Sequence, residues 1–378
     1  MLTSNTRDAE MNTNIEGKVV VTRTSRLTVG AVWCAAVASC GLDANGETVG
    51  ATSQTPAVHL RVDDTVGDIL DHPAFAGFGR LLLPRDDRRV DTTMRLREIG
   101  SLLPYHTHVD PAVVVSSLNQ MIDDAAAGRT VFHDFYTANE KEAEPSRRNT
   151  GLFLFRGKPG APFAVIAPGG GFAYVGSVHE GFPYAAEISS RGFNAFVLKY
   201  RAGQGGRTAT EDLAAALTYV FRNAGALGVS TADYSLWGSS AGARMAAAIG
   251  SHGAARFGGA TLPRPSAVIL LYTGHTDLAL TEPPTFVAVG ETDGIAPPAM
   301  MERRVAALRR AGTDVEYHRY PGVGHVATDV ENAGAFGRHH PLVRAGDEGV
   351  ATECFDVNVD LADRLSAVNQ RKRAVTPR

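Results

Sequence analysis

Ser240 stands at the centre of the pentapeptide Gly238-Ser239-Ser240-Ala241-Gly242. Tyr234 to Trp237, just upstream, reads as a strand, and Ala241 to Ile249 reads as a helix of small residues. A serine on a sharp strand-to-helix turn projects its hydroxyl above the edge of a sheet. The helix that starts behind it offers unpaired N–H groups and a positive dipole end to a developing oxyanion. Glycines two residues before and two after allow the turn and let neighbouring backbone come close. Ser239 lacks that symmetric flanking, so Ser240 is the preferred nucleophile. The chemistry these residue types suit is acyl transfer through serine.

Three further loops carry groups that this chemistry needs. Pro168-Gly169-Gly170-Gly171-Phe172 follows the strand 163–167. Glycines at the carboxyl end of a strand let backbone amides point at a ligand, which assigns an oxyanion hole to Gly170 or Gly171 together with Ala241. A phosphate loop would need Gly-Lys-Ser/Thr, and a dinucleotide site a G-x-G-x-x-G helix start; neither is present. Asp293, in Gly290-Glu291-Thr292-Asp293-Gly294, is placed to orient a histidine, with Glu291 and Asp277 as rivals. His325, in Pro321-Gly322-Val323-Gly324-His325, is placed to take the serine proton. Tyr174, His179 and Glu180 follow the glycine loop closely and are candidates for the lining of the substrate pocket, with Tyr174 and His179 taken as substrate contacts. His106 and His108 are spaced like a metal pair, but no further ligands converge on them in sequence. No metal and no cofactor is expected.

The elements that must position these groups begin near residue 150, where strand and helix start to alternate. Strands are expected at 163–167, 195–200, 234–237, 267–272, 285–289 and 315–320. Helices are expected at 183–191, 209–222, 241–249 and 299–310. Short apolar runs with little alternation imply an α/β fold, a mostly parallel sheet with helices on both faces. The catalytic domain is set at 146–330. Residues 58–145 form an N-terminal extension packing on that core or over its site, with a helix at 110–127 and a strand at 131–136. Residues 331–378 form a polar, Arg-rich tail.

Together APGGGFAYVGSVHEGFPYA, LWGSSAGARMA, VGETDGIAP and PGVGH resemble bacterial esterases of the acetyl esterase/lipase group in the α/β-hydrolase superfamily, over residues about 60–330. The group includes acetyl-xylan-esterase-like and prolyl-oligopeptidase-like hydrolases. The chain order Ser240, Asp293, His325 is the order of that fold. The resemblance implies hydrolysis of short-chain acyl esters, with acetyl groups on carbohydrates as one candidate. Two departures stand out: Pro168 replaces the histidine of the HGGG esterases, and 331–378 lacks the usual closing amphipathic helix. Two alternatives stand beside this reading, a serine peptidase of the prolyl-oligopeptidase type and a non-catalytic binding protein on a hydrolase scaffold. Against the first, 58–145 is too short for a propeller of several four-stranded blades.

Bulk composition agrees with a globular chain: 378 residues, 44% hydrophobic, 20% charged and a net charge of -3. Basic residues are dispersed except for Arg371-Lys372-Arg373, so no nucleic-acid partner is indicated. The three cysteines, Cys34, Cys40 and Cys354, match no metal or redox spacing. Residues 1–26 carry Lys18, Arg23 and Arg26, and 27–39 (LTVGAVWCAAVAS) is a short apolar core. Val37-Ala38-Ser39-Cys40 resembles a bacterial lipobox. A leader at 1–40, a lipidated Cys40 tethering the protein to a membrane, and a linker at 41–57 are expected. This makes the protein an exported lipoprotein, at the cell surface or in the periplasm. The alternative is a leader with a chance Ala/Val run and a cytoplasmic protein.

Overall fold

Eight strands build one sheet: β1 (Phe132–His133), β2 (Gly151–Phe155), β3 (Phe163–Ala167), β4 (Asn194–Lys199), β5 (Tyr234–Ser239), β6 (Ala267–Leu271), β7 (Thr285–Gly290) and β8 (Val315–Tyr320). Their spatial order is β1-β2-β4-β3-β5-β6-β7-β8. β2 runs antiparallel to β1 and β4; every pairing from β4 through β8 is parallel. These are features of a computed structural model that describes residues 57–85, 90–104, 106, 109–279 and 281–325. The leader, the linker as far as residue 56, Cys40, His108 and the tail at 331–378 lie outside the described residues.

Successive side chains of a strand point to opposite faces, and here both faces are covered. Phe153, Phe155, Ile166, Val197, Ile269 and Phe286 point into one apolar cluster. Leu152, Leu154, Val165, Leu198, Leu270 and Val287 point into the other. The five longer helices are α1 (Pro111–Ala126), α2 (Phe182–Ser190), α3 (Gly205–Arg222), α4 (Ala241–His252) and α5 (Pro298–Arg310). α1 and α2 contribute to the first cluster, through Leu118, Met121, Phe182 and Ile188. α3, α4 and α5 contribute to the second, through Leu213, Leu217, Met245, Ile249, Met301 and Val305. The chain therefore has the α/β-hydrolase type of architecture, a mostly parallel sheet between two helical layers.

The segment at 58–145 supplies much of one layer. Val66, Ile69, Phe75, Leu82, Leu96, Ile99 and the inner stripe of α1 share a cluster with the strands. Asp110 caps α1 by accepting from the Ala112 and Val113 amides, and Pro111 occupies its first turn. Tyr136 reaches further and donates its hydroxyl to Asp212 at 2.7 Å. Asp212 also holds Arg201, which pairs with Glu144.

Two elements differ from expectation. β2 is a strand outside those expected, although 151–155 is an apolar run. All five of its residues are buried, as both faces are covered. The strand expected at 131–136 pairs only at Phe132–His133; from there the chain turns so that Tyr136 meets Asp212.

Candidate active site

The carboxyl ends of β3, β5, β7 and β8 lie along one edge of the sheet, where open α/β sheets place their ligands. Ser240 follows the last residue of β5 and caps α4, with φ 50° and ψ -113°. A non-glycine residue there is strained, and such strain persists only where surroundings enforce it. The Ser240 amide donates to the Leu271 carbonyl at 2.9 Å. At Gly242, the second residue of the helix, an added Cβ would overlap the Ala167 carbonyl oxygen at the end of β3. The bare backbone there lets α4 close onto β3. Ser239 is buried within β5, which leaves Ser240 as the hydroxyl at the turn.

His325 and Asp293 converge on that hydroxyl. His325 Nε2 lies 2.9 Å from Ser240 Oγ, and His325 Nδ1 lies 2.8 Å from Asp293 Oδ2. A carboxylate only accepts, so Nδ1 carries the proton and donates it, leaving Nε2 to accept from the serine. The other oxygen of Asp293 accepts from the amides of Ile295 (2.8 Å) and Ala296 (2.7 Å). Asp293 is buried with both carboxylate oxygens engaged. The two loops are stitched together by Glu291 N–H to Tyr320 O at 2.9 Å and Thr292 N–H to Val323 O at 2.8 Å. They can close because Gly290 has no side chain; a Cβ there would overlap the carbonyl oxygens of Val323 and Gly324. The rival acids do not meet the His325 ring: Asp277 pairs with His252 at 2.7 Å, and Glu291 pairs with Arg319 at 2.9 Å and accepts from the Gly322 amide at 3.3 Å.

The glycine loop is held from its carbonyl side. Gly176 N–H donates to Gly169 O at 3.0 Å, and Tyr200 O–H lies 3.0 Å from Pro168 O and 3.3 Å from Gly169 O. Ala173 N–H donates to Gly170 O at 3.0 Å. In a trans peptide the N–H lies opposite the carbonyl, so these bonds turn the Gly170 and Gly171 amides to the other side. Among the described residues neither amide donates to a backbone carbonyl. Ala241, in the first turn of α4, likewise has no partner within its helix. Gly170 has φ 124°, Gly171 φ 60° and Phe172 φ 59°.

The candidate substrate contacts differ from each other. His179 is half-buried and sets its ring against His106, centroids 5.0 Å apart. Tyr174 is wholly buried, which corrects its expected place in the pocket lining. It supports the loop from beneath, with its hydroxyl 3.1 Å from His106 Nδ1 and the Arg85 guanidinium over its ring. His106 thus packs between Tyr174, His179 and Glu180. Among the described residues no three His, Cys, Asp or Glu side chains group as they would around a metal ion.

Two residues adjoin the site in places the sequence did not indicate: Glu180, expected in the pocket lining, and Tyr272, left unassigned. Glu180 is wholly buried and accepts from the Gly169 amide and, at 2.8 Å, from Tyr272 O–H. Burial pushes its carboxyl up, but the charge and hydrogen bond of His106, the charge of His179 and the Tyr272 bond outweigh that and leave it below its usual range. Tyr272 ends the apolar run of β6 and sets its ring edge-on to His325, centroids 5.4 Å apart at 77°. Burial, and then the Glu180 carboxylate, push its phenol well above the ordinary value.

Part of the chain matches a known family model. Residues 156–266 match the BD-FAE family model, an α/β-hydrolase-type family. No curated protein matches the chain. Solved structures similar to it include an α/β-hydrolase from a Medee basin deep-sea metagenome library, at 23% identity, TM-score 0.46, covering 57% of this chain and 92% of the other. An acetyl ester-xyloside bifunctional hydrolase from Caldicellulosiruptor lactoaceticus is 18% identical, with TM-score 0.49, over 62% and 96% of the two chains. A thermophilic esterase from the planctomycete Thermogutta terrifontis is 20% identical, with TM-score 0.44, over 57% and 86%. From the sheet order and the two helical layers, the chain has the α/β-hydrolase fold, and its residues 156–266 are similar to the BD-FAE family model.

Proposed function

We propose that the protein is a serine carboxylesterase acting on short-chain acyl esters, with acetyl groups on carbohydrates as one candidate substrate. The observation that carries this reading is the unbroken line Ser240 Oγ, His325 Nε2, His325 Nδ1, Asp293 Oδ2 at 2.9 and 2.8 Å. Ser240 attacks the ester carbonyl as its proton passes to His325 Nε2. The oxyanion settles on the N–H groups of Gly170 or Gly171 and Ala241. Collapse of the tetrahedral intermediate expels the alcohol, which takes the proton from Nε2, and leaves an acyl-serine. Water, deprotonated by His325, attacks that ester; collapse returns the proton to Ser240 and releases the acid. Asp293 holds the ring and stabilises its charged form. The short acyl preference rests on the motif resemblance alone.

A panel of nitrophenyl esters of rising acyl length, run beside acetylated xylan, tests the substrate class. The expected outcome is the highest kcat/KM on the shortest acyl chains of the panel. A maximum at long chains contradicts the short-acyl reading. Export through a lipidated Cys40 is proposed from the leader motif alone. Globomycin-sensitive processing supports it, and an unprocessed cytosolic protein ends it.

A further inference from the structure

Glu180 places one carboxylate between the two halves of the proposed machinery. One oxygen accepts from the Gly169 amide, the first glycine of the oxyanion loop. The other accepts from Tyr272 O–H at 2.8 Å and lies 3.2 Å from His106 Nε2. Both Glu180 and His106 are shut off from solvent. A buried carboxylate is costly unless donors surround it; here two donors from separate segments, the Gly169 amide and the Tyr272 hydroxyl, bond it, and the His106 ring stands beside it. The fit around it is close. A Cβ on Gly169 would stand 2.6 Å from one Glu180 oxygen and 2.9 Å from Ser239 O, and one on Gly176 would stand 3.1 Å from the same carboxylate.

Each bond bears on a group that the reaction uses. The Gly169 N–H anchors the Pro168–Gly169 peptide, and the next peptide carries the Gly170 amide. On the other side, Tyr272 has φ 38°, a left-handed conformation rare for a side chain of its size. Its amide donates to Ala288 O at 2.7 Å, and its hydroxyl is tied to Glu180. Between those two anchors its ring lies against His325. A core tyrosine with no such task would relax to ordinary backbone angles.

We infer that Glu180 is a positioning residue: it fixes the Gly169 end of the oxyanion loop and, through Tyr272, the ring of His325. It does not touch substrate. The inference rests on the serine-esterase reading and deepens it. Misaligning an oxyanion donor lowers turnover, while substrate binding, made elsewhere, is little altered.

The test compares Glu180→Gln, Tyr272→Phe and the double variant in the full chain. Active sites are counted by fluorophosphonate labelling, and kcat and KM for nitrophenyl acetate are measured per labelled site. Gln keeps the size of the side chain but turns an amide donor toward groups that themselves donate. For Glu180→Gln the expected kcat per site is about 10–100-fold lower, with KM within about twofold. Tyr272→Phe is expected to lose about 3–10-fold, and the double variant no more than Glu180→Gln alone. A purely structural role would lower the number of labelled sites and the melting temperature and leave kcat per site at wild type; that result overturns the proposal. Losses that multiply in the double variant overturn the link through Tyr272. If Glu180→Gln does not fold, Tyr272→Phe decides, and wild-type turnover there contradicts the proposal. Failure of the wild type itself to label at Ser240 counts instead against the serine-esterase reading.

Discussion

At the scale of single residues, Asp293 makes two separable contributions. Oδ2 meets His325 at 2.8 Å, while Oδ1 holds the amides of Ile295 and Ala296. Asp293→Asn can keep the second and spoil the first, because its amide nitrogen would face Nδ1 as a donor and favour the wrong tautomer. Turnover of nitrophenyl acetate should fall about 10³–10⁴-fold with little change in thermal stability. Asp277→Asn, whose carboxylate pairs with His252 away from His325, should stay within about twofold; an equal loss there would contradict the assignment. Ser240, Asp293 and His325 were legible in the sequence because each follows a strand on a glycine-flanked loop. Glu180 and Tyr272 were not. Tyr272 reads as the end of a buried run, and Glu180 sits in a stretch whose spacing gives no sign that its carboxylate folds under the loop. Tyr174 misled because nearness in sequence to the loop does not reveal which way the ring turns; it turns inward to His106.

At the scale of elements, the loop bearing Asp293 and the loop bearing His325 are one unit. Glu291 and Thr292 bond to Tyr320 and Val323, and the contact closes over Gly290. Gly290→Ala should force the second loop away and draw His325 off Ser240. The expected outcome is a loss of about 10–100-fold in kcat, checked by kinetics on the folded variant. Unchanged kcat would show that His325 does not depend on this clasp. The parallel strands β3 to β7 were readable as apolar runs, since strands buried on both faces lose their alternation. β2 was not read as a strand, although its five residues are as apolar and as buried as those of β3. β1 was overread, because alternation of Phe132, His133 and Tyr136 says nothing of a partner strand, and pairing stops after two residues.

At the scale of the whole molecule, stability should depend on pH through two half-buried histidines. Burial, and then the charge of Arg156, lower His133 to about 4; burial, and then Arg304, lower His275 to about 4. Unfolded, each titrates near 6.5. Between those values the unfolded chain binds protons that the folded one refuses. Stability is therefore full above pH 6.5 and is lost as pH falls toward 4, by about 1–2 kcal/mol per histidine after allowance for partial exposure. Urea midpoints at pH 7.5 and 5 should show this, and His275→Gln should flatten the difference. Equal pH dependence in the variant would contradict it. The two apolar clusters on either side of the sheet make these losses global, since the segment at 58–145 supplies much of one of them.

The central claim is that Ser240 is a nucleophile activated by His325. Fluorophosphonate labelling of wild type, Ser240→Ala and His325→Ala, with the modified peptide sequenced by mass spectrometry, tests it most directly. The account predicts one label on Ser240 in the wild type, none in Ser240→Ala, and labelling slowed by at least about 10²-fold in His325→Ala. A wild type left unlabelled, or a Ser240→Ala variant labelled as readily, would contradict it.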